Sequence, residues 1–447
     1  MNRSNSLDAL RGFAILAMVL SSSIAFGILP AWMYHAQTPP PYHQFNPELP
    51  GITWVDLVFP FFLFSMGAAI PLAFRKKIEE KEPVYKLLWH MLQRFALLVF
   101  FAIFTLHARA WVQSGTPGVT EYLLSIAAFV LLCFMFIRMK SVIPKLVAFA
   151  LAFVFLYYKK TDVSRSDVII IVLANMALFG TLAWWLTVKQ PLLRLGVLPF
   201  IAAVFLSAQT PDSWGKAVYD WSPLPWAYKF YYLKYLFIII PGTFAGEWLQ
   251  MALPADAWAD RRRWQLIAGG TLALVLINLV FLFNRQLVLN LVLNIAVGAA
   301  MLFLARKMLS PIPSWMNYLQ AGVYLLWLGL FFDCTQGGIK KDPSNYSYYF
   351  VTGGLAFLVI LGFSILEYYG HCNRLIKYLA ANGRNPMVAY VAGNLLLIPA
   401  MHLSGVMPVY KAMDANVWLG VLKGLLFTGI VSLITLFFVN RKWFWKT

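Results

Sequence analysis

Two histidines, His35 and His43, lie in a proline-rich stretch that leads into Pro50-Gly51-Ile52-Thr53-Trp54-Val55-Asp56. An imidazole has an ordinary pKa of about 6.5, which suits proton removal at neutral pH. Either ring is therefore a candidate general base, or a nucleophile that carries an acyl group. Asp56 could orient such a ring. Thr53 with Asp56 three positions later also has capping-box spacing, so the same carboxylate could simply tie down a helix start. No second His or Cys follows at helical spacing, which speaks against a metal site. Cys133, Cys334 and Cys372 are widely separated and form no CxxC or Cys/His cluster, so neither zinc nor a disulfide framework is expected.

A second set of residues could hold an anion. Asp8 and Arg11 stand at i,i+3, on one helical face, where they can pair with each other or Arg11 can hold an anionic group. Asn382-Gly383-Arg384-Asn385-Pro386 opens an apolar segment, and helix-start amides beside Arg384 and Asn385 suit a phosphate as well as a plain Asn-capped start. Pro241-Gly242-Thr243-Phe244-Ala245-Gly246 interrupts another segment with small residues, either for close helix packing or as a backbone opening beside a long, thin ligand. Asp333, Lys340, Lys341, Ser347 and Tyr348 make a charged hairpin that closes over a substrate or solvates a face. Lys341 and Ser347 of this hairpin, with Trp54 beside Thr53, are the substrate-binding candidates.

The elements that must position these groups follow from composition. Of 447 residues, 61% are hydrophobic and 12% charged, far from the ~25% charge of soluble domains. Apolar stretches near 7–29, 52–74, 88–110, 119–138, 142–158, 167–187, 190–208, 231–252, 264–284, 286–306, 315–334, 348–369, 385–404 and 417–440 approach the ~20 residues that a membrane-spanning helix needs. The expected fold is an all-α polytopic transmembrane bundle of 10–14 spans, one membrane domain over 1–447, with a retained first helix. Arg75, Lys76, Lys77, Lys81 and Lys86 follow the second span, whereas Pro30–Gly51 contains no Lys or Arg. The Lys/Arg asymmetry therefore puts both termini in the cytoplasm and the histidine loop outside. Lys159, Lys160 and Arg165 fall on the wrong side of this scheme, so one of the fourth to seventh segments is re-entrant or two are one. The formal charge of +18 belongs at the lipid headgroups of the bilayer rather than on a nucleic-acid surface.

Leu7-Asp8-Ala9-Leu10-Arg11-Gly12, the run Gly51-Ile52-Thr53-Trp54-Val55-Asp56-Leu57-Val58-Phe59-Pro60-Phe61-Phe62-Leu63-Phe64-Ser65-Met66-Gly67, and Asn382–Pro386 together resemble the heparan-α-glucosaminide N-acetyltransferase family and its bacterial homologues. The resemblance implies a multi-helix enzyme that takes acetyl from cytoplasmic acetyl-CoA and transfers it across the membrane to an amino sugar, with a histidine before the Thr-x-x-Asp-Leu-Val-Phe-Pro stretch as the key residue. Where the family carries that histidine this chain has Asn46, with His43 three residues earlier and His35 further back. Ser22 replaces an asparagine expected near the end of the first helix. His43 is the favoured substitute, with His35 as the other candidate and Asp56 as the orienting carboxylate.

On this reading Arg11, Asp8, Gly242, Arg384 and Asn385 would hold acetyl-CoA. The partners would be acetyl-CoA, a sugar or glycan acceptor and the bilayer, without nucleic acid or metal; a homodimer is left open. A bacterial inner membrane is the natural location. A sugar or lipid-linked-sugar transporter without acyl transfer is the rival class, although no internal repeat of the kind many transporters use is visible.

Overall fold

A computed structural model describes residues 5–251 and 258–446, and helices occupy all fourteen of the apolar segments read from the sequence. They are α1 (Asn5–Ser23), α2 (Trp54–Glu79), α3 (Val84–His107), α4 (Val119–Phe136), α5 (Ile143–Tyr158), α6 (Val168–Leu186), α7 (Pro191–Ser207), α8 (Leu236–Trp248), α9 (Arg261–Phe283), α10 (Leu287–Arg306), α11 (Pro313–Phe332), α12 (Tyr346–Tyr368), α14 (Pro386–Leu403) and α15 (Val417–Asn440). Of the shorter helices outside those segments, α13 (Asn373–Gly383) is too polar to have been read from apolarity. Among the described residues ten helices are long and apolar enough to cross a bilayer, and α5 and α7 are shorter apolar helices. The protein is an all-α polytopic membrane protein, as a chain in hydrocarbon must be when it satisfies its backbone polar groups within each segment.

The chain divides into two compact units, the first comprising Met1–Leu72, Phe237–Arg384 and Asp414–Thr428. Within it α2 and α12 are the most enclosed spans, 72% buried each, whereas α9 and α10 are 28% and 22% buried and turn side chains such as Leu272, Leu276, Val288 and Val292 outward as a lipid-facing surface. Those two peripheral helices are held by a ladder of fully buried amides. Asn278 donates to Asn294 at 2.7 Å, Asn294 to Asn290 at 2.9 Å, and Asn290 back to Asn278 at 3.3 Å. Interhelical amide bonds of this kind fix a register that apolar contacts in lipid specify poorly. The α1–α13 contact rests on glycines: a Cβ at Gly12 would lie 1.8 Å from the Leu379 carbonyl oxygen, and one at Gly383 1.9 Å from that of Asp8.

The second unit comprises Ala73–Leu236, Asn385–Met413 and Gly429–Thr447. Asp167 organises one of its ends. It caps α6 by accepting from the Ile170 amide and takes Arg109 and the Tyr390 hydroxyl on its other oxygen, each at 2.7 Å. The Asp167 amide in turn donates to the carbonyl of Ala102, near the end of α3. The Lys159–Arg165 connection leads directly into that anchored residue. It therefore lies at the end of α3 away from the lysine-rich start, and α4 and α5 are two separate helices. The orientation conflict seen in the sequence is thus not removed by merging segments.

Candidate functional site

In the first unit the proline-rich loop and the 333–345 hairpin are built into each other at the N-terminal end of α2. Gln37, with no exposed surface, clamps the hairpin backbone: its Nε2 donates to the Asp342 carbonyl at 2.6 Å and its Oε1 accepts from the Asp342 amide at 2.8 Å. The Gly51 amide donates to the Ile339 carbonyl at 2.8 Å, and Lys340 pairs with Glu48 at 2.7 Å. Beneath the hairpin Arg285 grips Asp333 through two parallel bonds of 3.0 and 2.8 Å, the geometry in which guanidinium and carboxylate match best.

Asp56 sits at the centre. Its Oδ2 accepts from the backbone amides of Thr53 (2.9 Å) and Ala36 (3.2 Å), and its carbonyl accepts from the Tyr348 hydroxyl at 2.8 Å. The capping role expected from the Thr53/Asp56 spacing is therefore present, and it occupies only one carboxylate oxygen. The other, Oδ1, is buried and accepts no hydrogen bond among the described residues; His35 Nε2 lies 3.3 Å from it and Lys341 Nζ 3.7 Å. A buried carboxylate oxygen in this state is a ready acceptor for the N–H or O–H of a ligand.

The two histidines have opposite tautomers imposed on them. His35 Nδ1 accepts from the Gln37 amide at 3.1 Å, so the neutral ring carries its proton on Nε2, toward Asp56. Burial holds the pKa of His35 below the usual 6.5, against the pull of Asp56 and with a smaller push from Lys341. At neutral pH this ring is uncharged. His43 Nδ1 faces the Thr38 carbonyl at 3.0 Å, and a carbonyl can only accept, so in the neutral ring the proton sits on Nδ1 and Nε2 keeps its lone pair. That Nε2 has no hydrogen-bond partner among the described residues. The His43 ring stacks on Phe26 with centroids 3.7 Å apart and meets the edge of Tyr34 at 4.5 Å; Phe26 is 72% exposed. The structure thus brings Asp56 to His35, not to His43, and leaves His43 with the free basic nitrogen.

Other residues singled out in the sequence are distributed as follows. Trp54 opens α2 and is half-buried. Ser347 is buried and donates to the Gly329 carbonyl at 2.8 Å, a bond between α12 and α11. Asp8 is buried and lies between two cations, Arg11 at 3.3 Å and Arg384 at 3.7 Å; Arg11 also donates to the Ser65 carbonyl at 3.2 Å, and Arg384 to the side chain of Asn5 at 3.1 Å. Gly242 packs so closely that a Cβ would lie 2.5 Å from the Phe64 carbonyl oxygen of α2; helix packing accounts for it. Asn385, in the second unit, has its amide bonded to the Trp443 carbonyl and its oxygen to the Trp445 amide, so it anchors the C-terminal segment. Among the candidates for an anionic donor Arg384 fits best, because its side chain is 35% exposed although its buried Nε faces Asp8.

Sequence reasoning passed over Gln37 and Arg285. Arg285 carried a signal, as a lone cation in a tight turn between two long apolar runs. Gln37 carried none, because a buried glutamine is recognisable only once its backbone partner is known.

The family described as "Domain of unknown function (DUF5009)" matches residues 3–249, more than half of the chain. No curated protein matches it.

Proposed function

The chain belongs to the DUF5009 family, and from its geometry we propose that it is a membrane acetyltransferase that moves acetyl from cytoplasmic acetyl-CoA to an amino sugar or glycan on the opposite side. The observation that carries this reading is the oriented lone pair of His43 Nε2, which has no hydrogen-bond partner among the described residues, in the loop that leads into Asp56, whose buried Oδ1 accepts no hydrogen bond there. The resemblance of the Gly51–Gly67 run to the heparan-α-glucosaminide N-acetyltransferase family supports it. So does the Asp8/Arg11/Arg384 cluster, which engages α2 at Ser65, nine residues and about 14 Å of helix rise from Asp56.

Acetyl-CoA supplies an activated thioester, and Arg384 is the residue best placed to hold its phosphates. Asp56 Oδ1 and Lys341 position the acceptor, and His35, neutral and proton-out toward Asp56, completes that polar wall. His43 Nε2 takes the proton of the acceptor amine or hydroxyl as its nitrogen or oxygen bonds to the acetyl carbon. The carbon–sulfur bond breaks, and the departing thiolate takes up the proton that His43 received, which leaves the free thiol and restores the neutral ring. His43 Nε2 is buried in the folded loop and its lone pair lies in the plane of the ring, so the loop must open at the ring edge for an acceptor to reach it.

The test is labelled acetyl transfer by the detergent-solubilised full chain to a panel of amino sugars and glycan fragments. His43→Ala is expected to lower the rate by about 10²–10⁴-fold, the range for loss of a general base. Label no higher than in a heat-killed control on every acceptor, or wild-type rates in His43→Ala, would overturn the proposal; sugar movement without use of acetyl-CoA would favour a transporter.

A further inference from the structure

In the second unit a cavity of about 730 Å³ opens between α3 and α5, and we infer that it is a binding groove for one acyl chain of an anionic phospholipid, with the lipid phosphate at Lys160. The walls are apolar: Phe95, Ala96 and Ile103 from α3, Phe153 and Tyr157 from α5, with Trp226 from the connection before α8. Lys160 is the only charged residue in the lining.

Length identifies the occupant as a lipid tail. From Phe95 to Ile103 the groove follows α3 for about 12 Å, close to the ~15 Å of hydrocarbon in one leaflet of a ~30 Å core. Tryptophan is a common residue at the depth where tails meet headgroups.

Charge identifies the headgroup. Lys159, Lys160 and Arg165 occupy the end of α3 opposite Lys86, where the Lys/Arg asymmetry leaves no place for a cluster of cations. Lys159 is within electrostatic reach of Glu121, and Arg165 of Asp162. The Lys160 ammonium has no acidic partner among the described residues, and it is the one that lines the groove. A phosphate at this point supplies the missing counter-charge beside the open end of an apolar slot.

Native mass spectrometry of the full chain, after exchange into equimolar phosphatidylglycerol and phosphatidylcholine, tests this. Wild type is expected to retain phosphatidylglycerol over phosphatidylcholine by about fivefold, the effect of one lysine near an anionic surface. Lys160→Gln should abolish the preference while leaving tail binding. Ala96→Phe, which places a ring in the slot, should lower retention of both lipids. Glycerol 1-phosphate, a headgroup without a tail, should displace neither. Equal retention of the two lipids by wild type, an undiminished preference in Lys160→Gln, or displacement by glycerol 1-phosphate alone would overturn the assignment. Lys160 is exposed, so its variant decides the matter even if Ala96→Phe fails to fold.

Discussion

His35 and His43 stand in one loop, yet their partners set them to different tasks. The amide of Gln37 bonds to His35 Nδ1, and only an unprotonated nitrogen can accept it. Burial of most of the ring is what depresses its pKa in the folded chain, and protonation at Nδ1 would also break that bond. The unfolded chain, with an ordinary value near 6.5, then binds more protons than the folded one in mildly acid solution. Stability is fully present above pH 6.5 and is lost as the pH falls through the depressed value. Thermal unfolding in detergent should therefore show a melting temperature that drops between pH 6.5 and 5 more steeply in wild type than in His35→Gln. Parallel curves for the two proteins would show that His35 is not held neutral by its surroundings. The sequence offered both rings as equals because tautomers are set by a backbone amide in one case and a carbonyl in the other, and neither is encoded in the side chains.

At the scale of elements, the spans were legible and their fastenings were not. Apolar runs located helices at all fourteen positions because hydrocarbon tolerates little else. The amphipathic α13 escaped because its sequence is polar, and its place against α1 depends on the glycines at 12 and 383. The joint between the proline-rich loop and the 333–345 hairpin escaped for a different reason. It consists mainly of side-chain bonds to backbone, above all the double clamp of Gln37 on Asp342. Gln37→Ala would remove both bonds to the backbone of Asp342, an exposed residue whose N–H and C=O can turn to water instead, a cost of about 0.5–1.5 kcal/mol for each bond. A fall in melting temperature is the expected result, together with a raised KM for the acceptor, since Lys341 adjoins the clamped residue. An unchanged melting temperature and KM would mean that the loop and hairpin hold together without it.

For the molecule as a whole, the residues that carry the proposed chemistry fall into two polar clusters of the first unit, one at the start of α2 and one where Arg11 meets Ser65 further along that helix. Composition was enough to read a polytopic membrane protein, and the charge asymmetry to expect the histidine loop on the outer side. Contacts between loop and hairpin place them at one end of this unit. Which residues of each would meet depended on pairings distant in sequence, such as Asp56 with Lys341. The central claim is that acetyl from one side of the membrane reaches an acceptor on the other. Proteoliposomes containing the full chain, loaded with labelled acetyl-CoA on the side of the termini and supplied with an amino-sugar acceptor on the opposite side, measure it directly. Label should accumulate on the opposite-side acceptor in wild type and fall by at least about a hundredfold in His43→Ala. Label confined to acceptor on the acetyl-CoA side, or equal transfer by the variant, would contradict the account.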